Sequence, residues 1–488
     1  MAKKNPTSSK KKKPNQSKNH RVENAGSDGM HDERYVIQKY RDESINRMKQ
    51  HSLYNIMTPS IRDRDTILHS SYFRRLGAVT QVVGAFEPYR LNNRQSHSLS
   101  VALAGRLLVA QLKSDEKTCD LLKKHNFTDE YVVEAACLAH DLGHPPFGHV
   151  GEETLQRLFD KHRARNGFEG NAQSFRILTR LEPTFGTPGM KLTRATLRAT
   201  LKYPWLRESV GLRGKKWGAY AEDREAFQFA IGNDISNNFE RTIEFERTIE
   251  AEIMDWADDA AYAIDDMIDF YTVGMIPLDR LAEVVTEREI FLSGFFERNG
   301  IIENSQKVEY EKQLNILCAD FFKKNNIVER YSGTLGQQRV LSDVVFHLHE
   351  KLRKGTTLSE ERPKLIWKEG QESNERFVKL LKGLTWEYVI ASTELASLQV
   401  GYQQVIEKLF ETFLDIAHGS KAGRRILPVR YREMLSLLDD EYGFLVPSDS
   451  LIRVAADMVA SLTDSEALNF WNRITGQAPG SVFLPPVN

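Results

Sequence analysis

Ten consecutive positions carry the densest chemistry in the chain: His140-Asp141-Leu142-Gly143-His144-Pro145-Pro146-Phe147-Gly148-His149. Imidazole and carboxylate are the side chains that ligate divalent cations and move protons near neutral pH. A helical apolar pattern precedes the run, with Thr128 as a plausible cap and Asp129 and Glu130 favourable in its first turn. The two prolines cannot continue a helix, so it must stop near Gly143. His140 and Asp141 are then expected in the last turn, beside an irregular loop where side chains can converge without being covered.

A cation needs further ligands from elsewhere. His97 stands in Arg94-Gln95-Ser96-His97-Ser98-Leu99, where another helix starts. Asp258 lies in Ala257-Asp258-Asp259-Ala260-Ala261-Tyr262-Ala263-Ile264-Asp265-Asp266, and in a helix positions 258, 262 and 266 share one face. Polar groups striped beside an apolar face read as the wall of a site. Two imidazoles (His97, His140) and two carboxylates (Asp141, Asp258) suit one divalent ion such as Mg²⁺ or Mn²⁺, with Fe²⁺, Co²⁺ or Zn²⁺ as further choices. Four protein ligands leave octahedral positions for water and a phosphate oxygen, so the chemistry expected is metal-assisted hydrolysis. A bare His-Asp pair is uninformative; the capped helix, the Gly/Pro loop and the upstream Arg-x-x-His separate this one from a structural histidine cluster.

The elements that must position these groups are helices. From about Tyr35 onward apolar residues recur at three- and four-residue spacing, as in Ser98–Leu112, Asp129–Leu142, Ala251–Tyr271 and Tyr402–His418. Thr80–Val83 is the one fair strand candidate; Ile426–Val429 is broken by Pro428, and the polar Lys354–Gln371 reads as a loop or short hairpin. The expectation is an all-α protein with at most a short β-hairpin. The 488 residues, 41% hydrophobic, suffice for a large core.

Residues 1–22 hold seven Lys and one Arg and no acid, while the whole chain is neutral, so the remainder carries −8. That argues against a strongly basic nucleic-acid-binding core. Residues 1–33 lack large apolar groups and are expected to be disordered, either a solubilising tail or a contact for a polyanion. Cys119, Cys137 and Cys318 form no CxxC pair, which suits reduced thiols and a cytoplasmic protein. No apolar run approaches the ~20 residues needed to span a bilayer, and no apolar stretch follows the N-terminal lysines as a secretory signal requires.

Taken with their neighbours, these residues closely resemble the HD-domain deoxynucleoside triphosphate triphosphohydrolases, the bacterial dGTPase family. The resemblance runs through Arg62-Asp63-Arg64-Asp65-Thr66-Ile67-Leu68-His69-Ser70, Phe73-Arg74-Arg75-Leu76, Thr80-Gln81-Val82 and Arg94-x-x-His97-Ser98-Leu99. It continues with the His140–Glu152 block, Phe168-Glu169-Gly170-Asn171-Ala172-Gln173, Lys202-Tyr203-Pro204-Trp205, Lys216-Trp217-Gly218 and Ala257–Asp266. Near the end, Asp457-Met458-Val459-Ala460-Ser461-Leu462-Thr463-Asp464 is similar to the family's Asp-Tyr-(Ile/Val)-Ala-Gly-Met-Thr-Asp element, departing from it at Met458, Ser461 and Leu462. The order is collinear from about residue 34 to 475.

The resemblance implies an HD-type helical core over 34–275 with helical insertions, and a helical region over 276–488 that completes the fold and makes oligomer contacts. It implies cleavage of a dNTP, with dGTP expected, between the 5′ oxygen and the α-phosphorus, giving a deoxynucleoside and tripolyphosphate. His149 and Glu152 match the catalytic pair, with His149 as acid towards the leaving oxygen or as base towards water. Arg94, Lys202, Tyr203 and Lys216 match phosphate contacts, and His144 lines the phosphate site. Gln81, Tyr262 and Asp266 match sugar contacts, the Tyr262 ring filling the space of a 2′-hydroxyl. The family also implies a homo-oligomer, often a hexamer, and dNTP or single-stranded DNA as effector. Two other readings stay open: another HD nucleotide phosphohydrolase or phosphodiesterase, which often uses two metals, and a regulatory nucleic-acid-binding protein.

Overall fold

Small polar residues set the helix starts in the computed structural model, which describes residues 57–83, 91–184, 188–207, 216–232, 246–319, 331–443 and 445–477. The basic tail and the expected helical onset near Tyr35 lie outside the described residues. Thr58 caps α1 (Pro59–Leu68), with proline at its first position. Asn93 and Ser96 form a reciprocal capping box at the start of α2 (Arg94–Ser114). Asp129, not Thr128, caps α3 (Glu130–Ala139), its carboxylate accepting the N–H of Tyr131 and Val132. Then follow α4 (His149–Lys161), α5 (Gly170–Arg176) and the long α6 (Ile249–Thr272), capped by Thr248. The C-terminal half contributes α7 (Leu335–Gly355), α8 (Ser373–Thr385), α9 (Thr393–His418), α10 (Ser448–Ala460) and α11 (Asp464–Ile474).

The all-α expectation holds. The only sheet among the described residues is a hairpin, β1 (Thr356–Leu358) antiparallel to β2 (Leu365–Trp367), inside the polar stretch expected to be a loop or hairpin. Thr80–Val83 is not a strand: it runs as bends, because the Thr80 backbone is tied to side chains on other elements rather than to a partner strand. The helix before the histidine loop also ends earlier than expected, at Ala139, so His140 is its C-cap and Asp141 lies in the following turn.

Three apolar clusters organise the helices. The first joins α1, α2, α3 and the N-terminal half of α6 through Ile67, Val101, Leu108, Val133, Ile253 and Met254. Burying each such aliphatic side chain stabilises by ~1.5–3 kcal/mol. Small residues let these helices approach: a Cβ on Gly105 of α2 would lie 3.1 Å from both Cys137 Sγ and Val133 Cγ1. The second cluster packs the C-terminal half of α6 on α7 and α8 through Ile264, Phe270, Leu348 and Phe377. In the third, α4 packs on α9, α10 and α11 through Leu155, Phe159, Phe410, Ile452 and Phe470. The C-terminal half therefore lies against the N-terminal half in two separate places, and one of them seats the helix that starts at His149.

Candidate active site

Elements of the first cluster bring the cation-ligand candidates together: His97 on α2, His140 at the C-cap of α3, Asp141 in the turn after it and Asp258 on α6. His97, in the first turn of α2, is 1% exposed and puts Nε2 3.3 Å from Asp258 Oδ1. His140 donates from Nδ1 to the Cys137 carbonyl at 2.6 Å, leaving Nε2 3.6 Å from Asp258 Oδ1 and 3.4 Å from Asp141 Oδ1. That second bond sets the tautomer and aims the other nitrogen, as metal-ligating histidines require. The ligand atoms of His97, His140 and Asp258 lie within 4.8 Å of one another. His140 Nε2 is buried without a hydrogen-bond partner among the described residues. Burial opposes charge on His140, yet the Asp141 and Asp258 carboxylates outweigh it and push its pKa up to about 9. Burial also opposes ionisation of Asp258, but Lys202 and His140 hold it well below the usual carboxylate range. The arrangement calls for positive charge between these groups, and a divalent cation displaces a proton from such a site. The residues fit the ion.

Asp141 stands slightly apart from that trio. Its Oδ2 accepts from Arg94 Nη1 at 2.7 Å, while its Oδ1 faces His144 Nε2 at 3.1 Å. Arg94 is almost fully buried, donates from Nε to the Thr80 carbonyl at 2.8 Å and keeps Nη2 without a partner among the described residues. Burial and the Arg94 charge bring His144 down to about pKa 4, so it is neutral at pH 7.

Next to the cation ligands stands a second group of His144, His149 and Glu152. The His149 side chain is 68% exposed, and its Nδ1 lies 3.2 Å from Glu152 Oε2. Glu152 is buried and also accepts from the Gly170 N–H at 3.2 Å and Lys216 Nζ at 2.7 Å. Burial works against its charge, but His149, His144 and Lys216 hold it well below the usual range. Glu152 can thus orient the His149 ring through the Nδ1–Oε2 hydrogen bond.

Both lysines singled out in the sequence are ion-paired. Lys202 Nζ lies 2.6 Å from Asp255 and 3.2 Å from Asp258; Lys216 Nζ lies 2.7 Å from Glu152 and 3.1 Å from Glu169. Tyr203 packs edge-on against Trp205, with the Arg247 guanidinium 5.8 Å from its ring. On α6, Tyr262 lies under Lys382 Nζ at 5.7 Å. Asp266 is buried with Oδ2 unpartnered among the described residues, and burial together with Asp269 and Asp265 raises its pKa well above the carboxylate range. Gln81 Oε1 is likewise buried without a partner there.

Sequence reasoning missed Asp255 and Arg75. Asp255 sits three residues before Asp258 on the same helix face, a spacing that could have revealed it. Arg75 donates from Nη2 to the carbonyls of Leu142 and His144, bracing the histidine loop from beneath. The same loop is closed above by α5: Ser174 Oγ accepts the Gly143 N–H at 2.9 Å and donates to the His140 carbonyl at 2.9 Å. A Cβ at Gly143 would come within 2.2 Å of the Gly170 carbonyl oxygen and the Ser174 nitrogen, both backbone atoms. Gly143→Ala is therefore expected to destabilise the fold by ~1–3 kcal/mol in denaturant titration, as overpacking does. Unchanged stability would show that the loop can retreat from α5.

Residues 94–263 match the HD domain and residues 369–473 the phosphohydrolase-associated domain. A deoxyguanosinetriphosphate triphosphohydrolase-like protein of Streptomyces coelicolor is 32% identical over 438 residues, covering 85% of this chain and 92% of the relative. The chain belongs to the deoxyguanosinetriphosphate triphosphohydrolase-like family of HD-domain proteins. Similarly named members from Shewanella pealeana and Corynebacterium glutamicum are 31% and 32% identical, covering 84% and 83% of this chain and 90% and 88% of their own length. As a member of this dGTPase-like family the protein is a nucleotide phosphohydrolase of the HD class. The HD match contains every cation-ligand candidate, and the second match spans α9, α10 and all but the last residue of α11, the helices that seat the His149 helix.

Proposed function

We propose that this protein is a metal-dependent dNTP triphosphohydrolase, with dGTP as the expected substrate, that adds water across the bond between the 5′ oxygen and the α-phosphorus. The products are a deoxynucleoside and inorganic tripolyphosphate. One observation carries the reading: the cation-ligand trio and the His149–Glu152 pair stand side by side, linked through Asp141 and His144.

His97, His140, Asp141 and Asp258 would hold one divalent ion, Mg²⁺ or Mn²⁺ foremost. Such an ion, when bound, supplies Lewis-acid polarisation of a phosphoryl oxygen. Arg94 Nη2, without a partner among the described residues, offers a fixed donor to the α-phosphate region, where guanidinium geometry suits two phosphate oxygens. Lys202, Tyr203, Lys216 and neutral His144 line the path of the polyphosphate; on substrate entry the two lysines would exchange carboxylates for phosphate oxygens. His149 protonates the leaving 5′ oxygen, and Glu152 holds its ring and stabilises the imidazolium. Gln81 and Asp266, each with a buried oxygen unpartnered among the described residues, suit hydrogen bonds to the 3′-hydroxyl, and the Tyr262 ring would occupy the space a 2′-hydroxyl needs. We further place residues 34–275 as the catalytic core and 276–488 as its completing and oligomer-forming region, in a cytoplasmic homo-oligomer open to dNTP or single-stranded DNA effectors. No helix among the described residues is long and apolar enough to cross a membrane.

The deciding experiment is product analysis with purified protein, Mn²⁺ or Mg²⁺ and each of the four dNTPs, singly and mixed. Deoxynucleoside and tripolyphosphate in equal amounts are expected. Nucleoside mono- or diphosphate as the sole product would sink the proposed bond cleavage.

A two-metal phosphodiesterase is the second reading, favoured by the His144, His149 and Glu152 group, whose ligand atoms also lie within 4.8 Å of one another. Metal content separates the two, with one ion per chain expected here and two there.

A further inference from the structure

The catalytic pair and the cation ligands sit on different apolar clusters, so something must hold their relative position. Asp464, the first residue of α11, is fully buried behind the site. Its Oδ2 accepts both the N–H and the hydroxyl of Thr80, at 3.0 and 2.5 Å, and its Oδ1 accepts the Phe147 N–H at 2.8 Å. Each partner leads into the site. The Thr80 carbonyl accepts Arg94 Nε, and Arg94 in turn holds Asp141. Phe147 has a backbone φ of 62°, a left-handed conformation that costs a bulky residue energy, and it stands two residues before His149. The adjoining Leu462 carbonyl accepts Arg75 Nη1 at 2.7 Å, and the same guanidinium holds the Leu142 and His144 carbonyls.

We propose that Asp464 is a positioning residue for phosphoryl cleavage: its carboxylate couples the Thr80–Arg94 arm to the Phe147–His149 turn. Its partners are main-chain amides and a hydroxyl that are themselves buried, so charge-assisted bonds to it are strong and geometrically specific. It lies some 200 positions beyond Asp258, the last of the cation-ligand candidates. Through it the C-terminal region reaches the proton-transfer side of the site while leaving the His97–His140–Asp258 trio to the N-terminal core. The inference rests on the phosphohydrolase reading for its kinetic consequence, but the hydrogen-bond brace can be read without turnover.

The test compares Asp464→Asn and the milder Thr80→Val in the full chain. Asparagine keeps the size but places an N–H₂ against one of the donors; valine removes only the hydroxyl arm. Expected for Asp464→Asn are faster hydrogen exchange at the Thr80 and Phe147 amides, Mn²⁺ binding as in the parent, and kcat lowered ~10–100-fold with little change in KM, the scale of loss for a misplaced catalytic group. Thr80→Val should lower kcat several-fold in the same direction, and it carries the test if Asp464→Asn does not fold. A folded Asp464→Asn with parental kcat, or one that loses Mn²⁺ in proportion to activity, overturns the positioning role. A parent protein that cleaves no nucleotide, yet shows Thr80 and Phe147 amides deprotected in Asp464→Asn, would overturn the phosphohydrolase reading and leave the brace standing.

Discussion

Replacing His97 or Asp258 by alanine is expected to abolish bound metal and turnover together, the largest effect expected of any single substitution here. The two side chains come from α2 and α6, far apart in sequence, and meet at 3.3 Å. Asp258 is the carboxylate that both His97 and His140 face, so its removal takes away the anion common to both imidazoles. It also strips Lys202 of one of its two carboxylates, adding uncompensated positive charge where a cation must bind. His97→Ala is the gentler change, since it leaves the Asp258 carboxylate facing His140 and Lys202. The apolar packing of α2, α3 and α6 does not depend on either side chain, so both variants should fold. Metal content after gel filtration in Mn²⁺, measured beside dGTP turnover, checks the expectation. Normal turnover with normal metal content in either variant would refute the ligand assignment.

His149→Ala should instead keep the metal and lose ~10²–10⁴ in kcat, the usual contribution of a positioned general acid or base. The ring lies outside the cation-ligand trio, and its hydrogen-bond partner Glu152 retains Lys216 and the Gly170 amide when it is gone. The side chain is mostly exposed, so stability should hardly change. Metal content again does the discriminating. Loss of one of two ions in His149→Ala would assign the ring to a second metal centre and favour the phosphodiesterase reading. A full complement of metal with parental kcat would remove His149 from the chemistry.

Much of the fold was legible because helix signals are local. Capping residues, proline at a first turn and three-to-four spacing of apolar groups act within a few residues, and α2, α6 and α9 lie where those patterns put them. The misreadings have equally definite causes. Thr80–Val83 has strand-like composition, but the Thr80 amide is claimed by Asp464 and its carbonyl by Arg94, contacts that no local pattern announces. The end of α3 was placed too late because Gly143 and the prolines mark where a helix can no longer continue, whereas the histidine loop bonds to α5 and Arg75 and leaves the helix sooner.

The HD pair and its distant partners were legible as candidate ligand types, since imidazole and carboxylate together suit a divalent cation. Their pairings were not. That Lys202 pairs with Asp255 and Asp258, that Lys216 pairs with Glu152, and that burial with the nearby Asp269 and Asp265 raises the pKa of Asp266 are matters of groups brought together by folding. The sequence by itself determined the helical class and named the candidate ligands and the candidate catalytic pair, because propensity, periodicity and donor chemistry belong to residues and their near neighbours. Only the tertiary structure decided which charges face each other and that the C-terminal helices seat His149. Electrostatic coupling and buried hydrogen bonds fall off within a few ångströms of space, whatever the separation along the chain.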